Sequence, residues 1–369
     1  MAIYINSLNI YAFRGIRGLR LDNLNHFNII AGDNNSGKTS ILEAISLFKS
    51  PMYLYNVLKT SRMREDASGF YSQSLFDSFL NMLPQDDFHM GVSAYGPIGE
   101  IDLELLGETK NILIDKNSID FRRTRFDRTE NYEPQEVETM CFDGVYKFAI
   151  NSNFDSFPIE FTGFTRFNDL PRERRNYINI SYLSPAKHLS GNNISNIVRS
   201  SSYKELCVYL LQLFDEDIMD ILYIKNEFSN RPIECLYHKK LGTMPLSTYG
   251  DGIKKVISLT NGIAAAKDGI LMIDEIETSI HSKYYKDIFS FLFMACERYN
   301  VQLFITTHSQ EAIDALLTTQ GYSHKALGND PINVITFRND KESHETLSRT
   351  MLGSEVLRNR EKYDFEVRL

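Results

Sequence analysis

The stretch that most limits what this chain can be is Gly32-Asp33-Asn34-Asn35-Ser36-Gly37-Lys38-Thr39, which matches G-x-x-x-x-G-K-[ST] at every fixed position. Its surroundings carry the other half of the signal. Phe27 to Ala31 is an apolar run that predicts a buried strand, and Ile41, Leu42, Ile45, Leu47 and Phe48 keep the spacing of a helix. A glycine-rich turn between a strand and a helix start is a phosphate cradle. Successive backbone N–H groups converge on oxygen anions, the helix start adds the positive end of its dipole, and Lys38 adds a point charge. On this reading Gly32, Asn34, Asn35, Ser36, Gly37, Lys38, Thr39 and Ser40 hold a nucleotide's phosphates, and the Thr39 hydroxyl holds Mg2+.

A second constellation lies far along the chain. Ile270-Leu271-Met272-Ile273 runs into Asp274-Glu275, a strand that ends in two carboxylates, and Val301 to Thr307 is a second apolar strand ending at His308. Open α/β sheets place ligands at the carboxyl ends of their strands. Asp274 is therefore the candidate metal residue, Glu275 the candidate base that polarises an attacking water, and His308 a candidate sensor of the γ-phosphate. Leu246-Ser247-Thr248-Tyr249-Gly250-Asp251-Gly252 precedes a helix predicted over 253–264 and makes a second anion site of Ser247, Gly250 and Gly252. One cradle does not need two helix starts. The redundancy fits a second site that faces the nucleotide of a neighbouring molecule.

Between these ends the pattern changes. Residues 3–10 read as a strand, and 51–90 as aromatic and polar with a short helical stretch from Leu75 to Leu83. From about 91 to 165 the apolar period falls to two, with Ile101-Leu103-Leu105, Ile112-Ile114 and Val145-Phe148-Ile150 separated by turn residues, which predicts antiparallel strands. Tyr203 to Leu222 carries a helical apolar stripe, so Asp215 and Asp217 are expected on a solvated helix, where residues two apart do not share a face. A last strand is expected around 333–337, ahead of a polar tail. The division expected is an N-terminal lobe over 1–165, a helical insertion or short arm over 166–240 and a C-terminal lobe over 241–369.

Composition excludes several classes. Hydrophobic residues are 43% and charged residues 24% of the chain, enough to bury a full core. The net charge of −8 argues against a protein that coats nucleic acid. Two basic clusters, Arg122-Arg123-Thr124-Arg125 with Arg128, and Arg172, Arg174 and Arg175, leave local nucleic-acid contact open beside the plainer reading of a solvated face. The four cysteines are far apart with no C-x-x-C, so neither zinc nor a disulfide framework is indicated. With no signal-peptide pattern and no apolar run of membrane length, the expected setting is the cytoplasm, with no membrane contact.

Together these residues resemble the ABC-type ATPase heads of the RecF, SMC and Rad50 group: a Walker A at 32–39, a signature at 247–252, a Walker B at 270–275 and a switch histidine at 308. Ile10-Tyr11-Ala12-Phe13-Arg14-Gly15 is similar to their opening strand and turn. Asp274-Glu275-Ile276-Glu277 with His281, then Thr306-Thr307-His308-Ser309, look most like the OLD (overcoming lysogenization defect) family and the stand-alone ATPases of anti-phage systems, such as the AriA subunit of PARIS. The resemblance implies an α/β P-loop NTPase fold, a two-lobed mixed sheet with an antiparallel β lobe and a short helical insertion. It also implies ATP and Mg2+ sandwiched head to tail, with Lys38, Thr39, Asp274, Glu275 and His308 from one protomer and 247–252 from the other.

Departures from the pattern matter. The signature is not Leu-Ser-Gly-Gly-Gln, so Gly250 and Gly252 both stay candidates, and for the Q-loop glutamine Gln73 and Gln85 are the residues at hand. No long coiled coil or zinc hook is present, and the sequence after His308 lacks the Asp-x-Asp pair of a Toprim nuclease. The expected function is thus an ATPase subunit that forms a homodimer or higher homo-oligomer through nucleotide and controls a separately encoded effector, a Toprim-type nuclease, in anti-phage defence. The alternative is a RecF-like DNA-binding ATPase of repair or recombination. A GTPase or small-molecule kinase is disfavoured, because no Asn-Lys-x-Asp occurs and the signature would have no use.

Overall fold

The computed structural model describes residues 3–33, 36–64, 74–84, 87–115, 136–166, 170, 176–190, 193–225, 232–319, 330–340, 343 and 345–363. In chain order the elements begin β1 (Ser7–Phe13), β2 (Ile16–Leu21), β3 (Phe27–Ala31), α1 (Lys38–Ser46), α2 (Leu54–Ser61) and α3 (Leu75–Leu80). A run of strands follows: β4 (Met90–Gly96), β5 (Gly99–Asp115), β6 (Glu136–Ile150), β7 (Asn153–Thr162) and β8 (Ile180–Leu183). Next come α4 (Ser201–Leu211), β9 (Ile218–Lys225), β10 (Pro232–His238), β11 (Gly242–Pro245), α5 (Asp251–Ala265) and β12 (Ile270–Ile273). The rest is α6 (Tyr285–Arg298), β13 (Gln302–Thr307), α7 (Gln310–Leu317), β14 (Ile332–Asn339), β15 (Thr346–Leu352) and a helix over Gly353–Tyr363.

An apolar strand such as β3 has no polar face to offer water, and all five of its residues are buried. It sits inside a mixed sheet of order β15-β14-β3-β13-β12-β8, in which β14, β3, β13, β12 and β8 are parallel and β15 closes one edge antiparallel. Successive side chains point to opposite faces. Ile30, Ile270, Met272, Phe304 and Ile335 enter a core with α1 and the antiparallel sheet, whereas Ile29, Leu271, Ile273, Leu303 and Val334 enter a second core with α4, α5, α6 and α7. The antiparallel sheet has the order β2-β1-β4-β5-β6-β7, and its alternating residues, such as Met90, Val92, Ile101, Leu103 and Leu105, fill the first core. A small sheet, β11-β10-β9, completes this α/β fold with mixed sheets.

One buried side chain helps to join the two large sheets, which Thr346 and Ser348 of β15 also tie to β2 at the edge. Gln302 opens β13 with no solvent exposure; its Oε1 accepts from the N–H groups of Tyr4 and Ile5, and its Nε2 donates to the carbonyls of Ile5 and Asn25. Four backbone groups at the entries to β1 and β3 are thereby satisfied out of reach of water, where each unpaired group costs about 1–3 kcal/mol.

Several expectations are corrected. The helix predicted over Tyr203–Leu222 ends at Leu211, and 218–225 is strand β9. Helical spacing continued past a real break: the Asp215 carboxylate accepts from the Asp217 N–H and turns the chain, after which Ile218 and Ile221 are buried in the hairpin with β10. Asp215 and Asp217 therefore lie in a turn, within 4.8 Å of His238. They form a clasp: His238 Nδ1 accepts from the N–H groups of Lys240 and Leu241, which puts its proton on Nε2 facing Asp215 Oδ2 at 3.2 Å, while Asp217 pairs with Lys240. Nor do 166–240 form a helical arm, since β8 is a strand of the mixed sheet beside β12, and β3 joins that sheet from the N-terminal third. The polar tail holds β15 and a helix. No helix among the described residues is long and apolar enough to cross a membrane. Both arginine clusters, at 122–128 and 172–175, and Gln73 and Gln85 lie outside the described residues.

Replacing Gln302 by Ala should lower unfolding stability by about 2–4 kcal/mol, because several buried backbone groups lose their partners at once. Urea denaturation of both proteins checks this, and an effect below 1 kcal/mol would show that the sheets are joined mainly elsewhere.

Candidate functional site

The carboxyl ends of β3, β13 and β12 lie side by side, and each delivers its next residues to one edge of the sheet. Beyond β3 the chain turns through Gly37, whose φ of +102° is open to glycine, and enters α1 at Lys38. Asn34 and Asn35 lie outside the described residues. Lys38 is buried, and its Nζ donates to the carbonyls of Gly32 at 2.8 Å and Asp33 at 2.6 Å. Burial holds its pKa below the ordinary lysine value, against the opposing pull of Asp274, Glu275 and Glu277.

Asp274 is the hub. It is 4% exposed, and three hydroxyls satisfy it: Thr39 donates to Oδ2 at 3.0 Å, Tyr182 to the same oxygen at 3.1 Å, and Thr306 to Oδ1 at 2.5 Å. The hydroxyl of Thr39 and the carboxylate of Asp274 are the oxygen donors that a hard divalent cation takes, so the pair fits Mg2+. Thr306 does more, since its Oγ1 also accepts the N–H of Glu275 at 2.9 Å. Glu275 is held at φ +48°, a left-handed conformation that costs a non-glycine residue about 1 kcal/mol or more. Ser36, Gly37, Lys38, Thr39, Ser40, Asp274 and Glu275 share one cavity of about 900 Å³.

The same cavity has a cationic lining as well. Arg14, Arg17 and Arg64 line it. Arg14 leaves the turn after β1 at φ +52° and reaches Glu43 on α1, with Nε 2.6 Å from Oε2, and Arg64 meets the same carboxylate at 2.8 Å. The Glu43 side chain has no solvent exposure, so two guanidinium groups hold one buried carboxylate and fix their own positions beside the cradle.

His308 stands apart from this cavity. Its Nδ1 and backbone N–H both point at Glu277 Oε1, at 2.9 and 3.0 Å, and the ring is 45% exposed. Glu277 Oε2 is buried without a hydrogen-bond partner, and so is Nζ of Lys255 on α5. Lys255 is 2% exposed; burial pushes its pKa down to about 8, with weak counter-pull from Glu277 first. The signature residues lie elsewhere again. Ser247 lines a different cavity with His188 and Lys254. Ser247, Gly250 and Asp251 are exposed, and Gly250 caps α5 without a side-chain hydrogen bond, so this helix start faces solvent with its N–H groups unclaimed.

Of the residues named from the sequence, the fold gathers Ser36 to Ser40, Asp274 and Glu275 into the cavity and leaves His308, Ser247, Gly250 and Gly252 outside it; Glu43, Arg64, Tyr182 and Lys255 were not singled out, and Thr306 and Glu277 stood only within the quoted motifs, with no role assigned. Thr306 could have been found, as it ends the same strand that delivers His308. Glu43 lies one helical turn beyond Thr39. Arg64 and Tyr182 carry no local signal, because only the pairing of β8 with β12 and the packing of the segment after α2 against α1 bring them in.

A family model described as AAA domain, putative AbiEii toxin, Type IV TA system, matches residues 110–314, more than half of the chain. The chain belongs to this family. A second model, AAA domain, matches 7–66, the stretch that holds the cradle. An ATP/GTP phosphatase of Helicobacter pylori (strain ATCC 700392 / 26695) is 24% identical over 332 residues, covering 85% of this chain and 87% of that protein. The DNA replication and repair protein RecF of Francisella tularensis subsp. mediasiatica is 28% identical over 144 residues, 38% of this chain and 35% of that protein. The SMC head crystallised with the C-winged helix domain of ScpA aligns at a TM-score of 0.49 and 12% identity, over 96% of this chain and 100% of that one. The family and the RecF relative support an ABC-type ATPase superfamily, and none of the relatives named here carries the OLD name.

Lys255 gives a pH signature. A lysine near 8 when folded and near its ordinary 10.5 when unfolded binds fewer protons in the native state between those values, so its contribution makes stability rise with pH across that window. The size is about 3 kcal/mol. Lys255→Met should remove that rise: the stability gap between variant and wild type, read by urea melts, should shift by about 2.5 kcal/mol of it in favour of wild type from pH 7 to pH 10. Parallel profiles would mean that Lys255 is not held in a desolvated site.

Proposed function

We propose that this chain binds and hydrolyses ATP with Mg2+, assembles with copies of itself through the nucleotide, and acts in the cytoplasm as a sensor and scaffold controlling a separate effector, of Toprim-nuclease type, in anti-phage defence. The observation that carries the reading is the contact of Thr39 with Asp274 beside Lys38 and Glu275, in a cavity that the exposed start of α5 does not enter. One protomer offers a cradle with acids, and it turns a second anion site outward. The resemblance of the Asp274–Glu277 and Thr306–Ser309 stretches to the OLD family supports the defence setting, as does a family description that names a toxin system.

In this reading Lys38 exchanges the carbonyls of Gly32 and Asp33 for phosphate oxygens, and the N–H groups of the loop follow. Thr39 and Asp274 would hold Mg2+, which when bound neutralises charge on the phosphates. Glu275, positioned by Thr306, accepts a proton from the attacking water, while Arg14 and Arg64 keep positive charge in the same cavity. His308, oriented by Glu277, reports the γ-phosphate. Ser247, Gly250 and Gly252 of a second copy close the site from outside.

Three measurements test this. Lys38→Ala should reduce ATP hydrolysis, followed as phosphate release, at least 100-fold; retained turnover would remove the cradle as the site. Glu275→Gln should slow hydrolysis by about 10²–10⁴-fold and accumulate an ATP-dependent larger species on size exclusion, since general-base catalysis has that magnitude. For completion in trans, Lys38→Ala and Ser247→Arg, each inactive alone, should recover about a quarter of wild-type activity when mixed, because half of the dimers carry one intact site of two. No recovery would sink the head-to-tail assembly. A DNA affinity that falls steeply with salt would instead favour the RecF-like reading.

A further inference from the structure

A second cavity, of about 290 Å³, lies behind α1 and shares no lining residue with the first. Three lysines from three separate elements converge on it: Lys49 from the turn after α1, Lys59 from α2 and Lys187 from the turn after β8. No aspartate or glutamate stands among its described lining residues, and among the described residues none of the three lysines has a carboxylate within ion-pair distance. Gathering like charges around a concave surface is unfavourable unless something of opposite sign comes between them.

We propose that this cavity binds a small phosphate-bearing anion. Two independent features point the same way. Ser184, 6% exposed, lines the cavity with a buried hydroxyl that has no hydrogen-bond partner, a donor left for a ligand oxygen. Lys49 is partly buried, anchored by its Nζ to the Ile180 carbonyl at 3.0 Å. Its pKa is lowered first by burial and then by the charge of Lys59, a cost that an anion between the two would reverse.

Size and chemistry set the ligand class. The volume lies at the small end of ligand pockets, about a third of that at the cradle, so it suits a phosphate or pyrophosphate group with at most a small organic part. Three cations match a ligand of two or three negative charges. The amide of Asn56 and the side chain of Met272 provide one polar and one apolar wall for that organic part. The ring of Tyr182 also lines this cavity while its hydroxyl bonds Asp274, so the site stands one side chain away from the metal-binding acid.

The test uses the full chain with inorganic pyrophosphate as probe, in EDTA, by titration calorimetry. Lys38→Ala, which weakens the cradle, should keep one pyrophosphate site. In that background Lys59→Ala with Lys187→Ala should weaken the remaining site at least tenfold, and Ser184→Ala should weaken it about threefold; thermal melts unchanged from the parent show that the variants are folded. Repeating the titration with adenosine monophosphate distinguishes a free phosphate ligand from a nucleoside phosphate, and saturable binding of either supports the site. Loss of all binding in Lys38→Ala alone overturns the proposal, as does affinity unaffected by the lysine changes. Displacement of pyrophosphate by single-stranded DNA at lower concentration than by adenosine monophosphate would also overturn it, by making the lysines part of a nucleic-acid surface.

Discussion

The whole arrangement depends on a sheet that must be covered on both sides. β3, β12 and β13 are buried along their whole length, so no solution leaves either face to water. The helices α4 to α7 supply one cover, and α1 with the antiparallel sheet supplies the other. Once those covers are in place the strands cannot slip in register without turning Ile30 or Met272 into the wrong core. Their carboxyl ends are then fixed relative to one another to within the tolerance of close packing. The geometry of the candidate site follows from hydrophobic necessity.

What that edge gains is a shared hydroxyl. Thr306 donates to Asp274 and accepts from the N–H of Glu275, so the strand between the cradle strand and the acid strand is no passive spacer. Tyr182 from β8 and Thr39 from α1 complete the ring around Asp274, and four elements meet at one carboxylate. Glu277 extends the cluster toward His308 on one side and toward the buried Lys255 of α5 on the other. The outward-facing helix start and the inward-facing acids are therefore linked through a single helix, whose buried Lys255 feels the opposite charge of Glu277.

Much of this could be read from residue order alone, and the reasons are local. The loop at 32–39 and the apolar runs at 270–273 and 302–307 announce themselves because backbone requirements and double burial leave few residue choices. The antiparallel strands from 91 to 162 showed through their period of two. Tyr203–Leu222 misled because an apolar stripe at helical spacing also serves a short helix, a turn and a strand, and the turn depends on the Asp215 side chain bonding its own backbone. Arg64, Tyr182 and Lys255 were invisible for a different reason: their roles come from contacts between residues far apart in the chain, and no spacing encodes them.

The backbone of Glu275 has a bearing on how such a chain would change over generations. Held at φ +48°, this glutamate is less comfortable than glycine or asparagine would be at the same place, by about a kilocalorie. The fold would gain stability by giving up the proposed base. Lineages in which turnover ceases to matter, while nucleotide-dependent assembly is kept, should drift toward those residues at this position first, and the cradle should outlast the acid.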